Sequence, residues 1–261
     1  MLRVGEVERG IARTIFAGKL HVFDEVGSTN TLALEAAAEG AAEGTVFVAD
    51  QQLAGRGRGG HSWHSEPGEA LLFSMVLRPQ WKLASHAWLG LIAALAVHSG
   101  VGEVTGITAD LRWPNDLLIG TRKFCGILTE MRTDSSRTTA VVIGTGINVN
   151  QQRFPEDLEG IATSLAIAGG KRLLREVLLA AVLRAYDEEY KALQEAAGDG
   201  GPHLFARLEA ISTWIRGKRV QVPEEGGYTG VTAGLDAWGF LRVETESGVR
   251  TVRSGGVRAI E

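Results

Sequence analysis

The run Gln52-Leu53-Ala54-Gly55-Arg56-Gly57-Arg58-Gly59-Gly60-His61-Ser62-Trp63 sets the tightest limit on how this chain can fold. Four glycines lie between positions 55 and 60. Glycine loses the most conformational entropy on ordering, so such a run belongs where the backbone bends sharply or approaches a ligand. Arg56 and Arg58 add two permanent guanidinium charges that grip carboxylate or phosphate through paired donors. The run therefore reads as a loop that orders over a small anion. Three blander readings compete with it. Arg-Gly segments also track RNA backbones, but usually through long low-complexity tracts. Gly55, Gly57 and Gly60 satisfy the G-x-G-x-x-G dinucleotide fingerprint, which needs a helix beginning at the loop. His61-Ser62-Trp63-His64-Ser65-Glu66-Pro67-Gly68 cannot supply that helix. A plain structural turn also stays open, because the chain spends 34 glycines overall.

Composition narrows the class. A chain of 261 residues can bury a sizeable core, as one large domain or as one plus a small module. A net charge of −4 gives no broad basic field for nucleic acid. One cysteine, Cys125, excludes an internal disulfide and a cysteine-based zinc site. Residues 1–10 interleave Arg and Glu and lack the apolar centre of a signal peptide, and Leu89 to Val97 is too short to span a bilayer. The expected location is cytoplasmic, with neither membrane nor nucleic acid as a partner.

Ser28-Thr29-Asn30 opens a helical run ending near Gly40. Thr45–Ala49 and Ala70–Leu77 read as strands, Trp88–His98 as a buried helix. Short strands follow around 109–111, 117–119, 123–131 and 138–143, after which Gly144-Thr145-Gly146 interrupts the pattern. Long helices fit 173–196 and 203–215. Beyond Trp214 short alternating strands between glycine-rich turns read as a small β-barrel module. The expected class is α+β, a mixed sheet with helices over residues 1–215, then a β module over 216–261.

Further residues carry chemistry. In Arg112-Trp113-Pro114-Asn115-Asp116, proline holds Trp113 extended and places Asn115 and Asp116 in a turn. Lys123 shares, by strand alternation, the face of Cys125 and Ile127, so it snorkels from the sheet rim or holds an anion. Ser28, Thr29 and Asn30 serve either as helix N-caps or as polar contacts to a heterocycle. Gly144-Thr145-Gly146 with Asn148 is either a bulge or a place for a nucleotide to approach the backbone. The Gly-Lys pairs at Lys19, Lys171 and Lys218 lack the P-loop context, there is no G-x-S-x-G, and His61 with His64 lack a third zinc ligand. Cys125, between Phe124 and Gly126, reads as an inert core thiol.

In this order, Ser-Thr-Asn, Gln-x-Ala-Gly-Arg-Gly-Arg-x-Gly-x-x-Trp, Trp-Pro-Asn-Asp, Arg-Lys-x-x-Gly-Ile-Leu and Gly-x-Gly-Ile-Asn, the motifs resemble those of the biotin protein ligases over roughly residues 22–150. The resemblance implies a catalytic domain like that of the class II aminoacyl-tRNA synthetases, followed by an SH3-like barrel. About 20 residues precede the first motif, so it further implies the short class without an N-terminal DNA-binding domain. By the same resemblance Ser28, Thr29, Asn30 and Gln52 line the biotin ureido pocket. Gly55, Arg56, Gly57, Arg58 and Gly126 complete the biotin site, and Lys123 binds its carboxylate and the α-phosphate. Arg58, Trp63, Asn115, Lys123 and Asn148 lie at the nucleotide. Arg56, Arg58 and Lys123 are the catalytic group, and no residue is assigned to a metal.

The implied co-substrates are biotin and ATP with Mg2+, and the implied partner is a biotin carboxyl carrier protein, with homodimerisation common in the family. Biotin is activated as biotinoyl-5′-AMP and passed to a carrier lysine, with arginine, lysine and magnesium offsetting the repulsion between two anions. Two departures stand out: Gly59 and His61 where the family loop carries more arginine, and Arg112 where lysine is usual. A lipoate or octanoate transferase and a biotin-responsive regulatory protein without turnover are the alternatives.

Overall fold

The computed structural model describes residues 2–81, 87–134, 137–223, 226–253 and 255–260. In chain order the first part contains α1 (Val4–Ile11), β1 (Leu20–Val26), α2 (Thr29–Ala38), β2 (Val46–Gln52), β3 (Ala70–Leu77) and α3 (Ala87–Thr105). It continues through β4 (Asp110–Arg112), β5 (Asp116–Ile119), β6 (Arg122–Asp134) and β7 (Arg137–Asn148). These strands form one seven-stranded sheet in the order β1-β2-β3-β7-β6-β5-β4. Only β1 and β2 pair in parallel; the rest is antiparallel. A parallel pair needs a crossover, and α2 supplies it. That crossover sets the N-terminus of α2 beside the C-terminal end of β2, where Leu53 N–H donates to the Val26 carbonyl at 2.9 Å and Ala54 N–H to Gly27 at 2.8 Å. Ligand sites in open sheets gather at such strand ends.

The sheet is covered on both faces. α3, α5 (Arg175–Glu195) and α1 lie on one side over the larger core, which includes Phe73, Met75, Ile127 and Ile143. α2 covers a smaller cluster of Ala33, Ala37, Phe47, Val76, Ala140 and Val142 on the other. Among the described residues α3 alone is long and apolar enough to cross a membrane. It is instead the central core helix, with Trp88, Leu89, Ile92, Leu95 and Val101 all nearly inaccessible. Each fully buried side chain of that size stabilises the fold by about 1.5–3 kcal/mol.

Two sequence expectations change here. Gly144-Thr145-Gly146 does not interrupt the pattern, because β7 runs unbroken to Asn148 and these three residues pair with both β3 and β6. The glycines stay in the strand because other side chains lie directly on them, as described below. Lys123 also does not share a face with Cys125. Leu118 pairs with Lys123 and Leu117 with Cys125, so β6 carries one extra residue at Phe124. This bulge turns both Phe124 and Cys125 into the core and re-aims the side chain before them. Cys125 is fully buried, which pushes its thiol well above the ordinary range, as expected for an inert core group.

After the sheet come α4 (Leu165–Gly169), α5 and α6 (Gly201–Ala210). β8 (Arg216–Val222), β9 (Tyr228–Leu235), β10 (Leu241–Thr245), β11 (Gly248–Val252) and β12 (Arg258–Ala259) then build a second sheet in the order β11-β10-β9-β8-β12. The expected barrel is not closed by hydrogen bonds. β12 contributes two residues that pair only with β8, leaving β11 and β12 as edges of an open sheet. This sheet sits against the first part through Trp113 Nε1–H, which donates to the Gly239 carbonyl at 3.0 Å.

Candidate active site

Between α2, the strand ends and the glycine-rich run lies a cleft of about 450 Å³ that is open to solvent. Ser28, Thr29, Asn30, Gln52, Arg56, Gly57, Arg58, Trp63, Asn115, Lys123 and Gly126 all line it. Two residues expected at the site do not. Gly55 is buried beneath the run, where a Cβ would lie 2.5 Å from the Trp63 carbonyl oxygen. Asn148 is buried, its amide donating to the Thr163 carbonyl at 3.1 Å and its Oδ1 accepting from Gln151 at 3.0 Å. Its contact is indirect: the segment around Thr163 pairs with the backbone of Lys123, whose N–H donates to Ile161 at 2.8 Å.

The glycine-rich run forms a closed hairpin. Trp63 N–H donates to Gly55 at 2.9 Å and Gly57 N–H to His61 at 2.6 Å. Gly59 and Gly60 turn it with φ of +70° and +81°, a left-handed conformation that side chains disfavour. The hairpin carries Arg56 and Arg58 to the cleft, and Arg58 also donates to the Gly255 carbonyl of the C-terminal part. Trp63 then returns over the sheet. Gly126 and Gly146 are cross-strand partners on β6 and β7, and Cβ atoms there would meet the Trp63 ring at 3.0 and 2.7 Å. The indole thus needs two glycines beneath it.

Opposite the hairpin, the bulge points Lys123 into the cleft beside Gly126. Its Nζ lies 2.6 Å from Asp116 Oδ1 and 5.6 Å from the centre of the Trp63 ring. Asp116 Oδ2 is 2.6 Å from Arg112, so one carboxylate holds two cations. Asn115, in the turn before Asp116, donates to the Ile127 carbonyl at 2.8 Å.

The inner end is a polar chain. Gln52 Oε1 accepts from both Thr29 N–H at 2.7 Å and Thr29 Oγ1 at 2.9 Å. Ser74 Oγ lies 2.7 Å from Thr29 Oγ1 and 2.5 Å from Asn30 Oδ1, within donating distance of both. Asn30 Nδ2 donates to Glu130 at 2.8 Å. Ser28 occupies the N-cap of α2 but makes no side-chain capping bond, so its hydroxyl is not spent on the helix. Ser74, Glu130 and Leu128 are site residues that the sequence did not single out. Ser74 lies inside an otherwise apolar strand, and that interruption was the one available signal. Gly144 is needed because a Cβ there would sit 1.9 Å from Asn30 Oδ1. Gly144→Ala must therefore expel Asn30 from its buried bonds. We expect a loss of about 2–4 kcal/mol in urea unfolding, together with loss of ligand binding at this end.

Residues 22–148 match the model of the biotin/lipoate A/B protein ligase family. The chain is 36% identical over 266 residues to the bifunctional ligase/repressor BirA of Bacillus subtilis, covering 98% of this chain and 78% of that protein. It is 32% identical over 246 residues to the biotin–[acetyl-CoA-carboxylase] ligase of Mycobacterium tuberculosis, covering 92% and 88% respectively. The chain belongs to the biotin protein ligase family. The fold agrees: the biotin protein ligase from Aquifex aeolicus, solved in complex with biotin and ATP, superposes with a TM-score of 0.79 at 32% identity, over 92% of this chain and 98% of that one. The family match lies within the seven-stranded sheet and includes every residue that lines the cleft.

Proposed function

We propose that the protein is an ATP-dependent biotin protein ligase that makes biotinoyl-5′-AMP and transfers biotin to a lysine of a biotin carboxyl carrier protein. The observation that carries the reading is the convergence of Arg56, Arg58 and Lys123 on one cleft from opposite walls. Biotin's carboxylate attacks the α-phosphorus of ATP and pyrophosphate leaves. A carrier lysine amine then attacks the carbonyl of the mixed anhydride and AMP leaves. The first step brings two anions together, and fixed cations that need no reorganisation lower its barrier. Lys123 meets that need: Asp116 and the Trp63 ring hold its ammonium in place, on the wall facing the hairpin arginines.

The inner polar end suits the ureido ring. Gln52 spends Oε1 on Thr29 and so keeps its amide hydrogens for a ligand carbonyl, while the Ser28 hydroxyl can donate or accept. Asn30 also lines this end, and its bonds to Ser74 and Glu130 fix its amide in place. Discrimination is strongest where a mismatched ligand leaves such buried groups unpaired. The hairpin excludes water from an anhydride that would otherwise hydrolyse.

No group of three metal-ligating side chains occurs among the described residues, and Asp116 is already paired with Arg112 and Lys123. Mg2+ bound to the nucleotide phosphates would offset their charge in the first step. We read residues 1–215 as the catalytic domain and 216–261 as an SH3-like module left open at β12.

Incubation with labelled biotin, ATP and a carrier domain tests the reading. It predicts one biotin per carrier, on lysine, with AMP and pyrophosphate released in equal amounts. Label appearing with lipoate or octanoate but not with biotin would overturn it.

A further inference from the structure

Glu130 performs none of the steps above, yet two walls of the cleft meet at it. Its Oε2 accepts from Asn30 Nδ2 at 2.8 Å and from Arg56 Nη2 at 3.1 Å. On charge alone the residue is misplaced. It stands at the rim of a cleft built from cations, where a carboxylate opposes any anionic ligand. Its surroundings offset that cost. Along β6, Gly126 and Leu128 line the cleft, and strand alternation puts Glu130 on the same face next beyond them, where it meets the lining residues Asn30 and Arg56. Asn30 is 4% exposed and held by Ser74 on its other side, so the carboxylate is fixed from below by a buried amide. Arg56 is 48% exposed and has Thr31 Oγ1 only at 3.4 Å. Glu130 thus gives this otherwise loose arginine a fixed partner inside the fold.

We propose that Glu130 is a positioning residue: its carboxylate hooks Arg56 over the cleft whether or not ligand is present, so that only the hairpin beyond Gly57 has to order around the adenylate. A hook of this kind shortens the segment whose freedom is lost on closure. The inference rests on the ligase reading, because the retained species is the adenylate.

The test follows escape of adenylate formed from biotin and ATP, by rapid filtration, in wild type, Glu130→Gln, Arg56→Gln and the double variant. Glutamine keeps an acceptor for Asn30 and removes the charge that holds Arg56. The hook predicts escape about three- to fivefold faster in Glu130→Gln, a partly exposed pair being worth no more, and no further acceleration when the change is added to Arg56→Gln. If the carboxylate merely repels anions, Glu130→Gln retains adenylate longer. Slower or unchanged escape overturns the inference, as does an effect of equal size in both backgrounds, which a purely structural role would give. Should Glu130→Gln not fold, Glu130→Asp withdraws the charge from Arg56 and is read in the same way. A wild type that forms no adenylate would overturn the ligase reading instead.

Discussion

Replacing Lys123 by methionine is expected to slow biotin-dependent exchange of pyrophosphate into ATP by about 10²–10³-fold, the usual cost of removing one preorganised charge from a reacting centre. Methionine keeps most of the stem and removes the ammonium. The fold should tolerate the change, because Asp116 retains Arg112 at 2.6 Å and so is not left as an unpaired buried charge. Lys123 is itself one-third exposed, so its pair with Asp116 is screened by water and unfolding should shift by no more than about 1 kcal/mol. Loss of exchange with near-native stability is thus the expected signature. Arginine should not restore activity, since its planar fork differs in reach and geometry from a compact ammonium. Exchange within threefold of wild type in Lys123→Met would remove Lys123 from the chemistry.

Arg58→Ala is expected to weaken retention of the adenylate in addition to slowing its formation. Arg58 reaches the cleft from the hairpin and also donates to the Gly255 carbonyl, tying the hairpin to the C-terminal part. A hydrogen bond to a charged partner is worth about 1.5–3 kcal/mol, so adenylate should leave the variant roughly 10- to 100-fold faster. The measurement is the appearance of free adenylate in a filtrate, with the carrier absent. An unchanged release rate would deny the hairpin its retaining role.

Much of this architecture is legible in the residues. The strand Ala70–Leu77 and the helices over 173–196 and 203–215 follow from apolar patterning, the strand with its expected bounds and the helices with ends displaced by one to five residues. The site is legible because its motifs sit where the backbone is constrained: glycines in a hairpin, a helix start after a strand, a proline before a turn. What escaped depends on partners distant in sequence. The bulge that turns Lys123 away from Cys125 is set by how Leu117 and Leu118 pair with β6, which alternation along one strand cannot reveal. Gly144 and Gly146 resemble a break until Asn30 and Trp63 are seen lying on them. Glu130 resembles a solvated charge until Asn30 and Arg56 approach from opposite sides. β1 also carries a weak signal, for as an edge strand it has no fully buried residue.

The central claim is that cations from the hairpin and from β6 bring biotin's carboxylate and the α-phosphate of ATP together in one cleft. It is tested most directly by following labelled pyrophosphate into ATP on the wild-type protein, with and without biotin, in the absence of carrier. Exchange that requires biotin is the predicted result. No exchange in a folded sample, or exchange that proceeds equally without biotin, would contradict it.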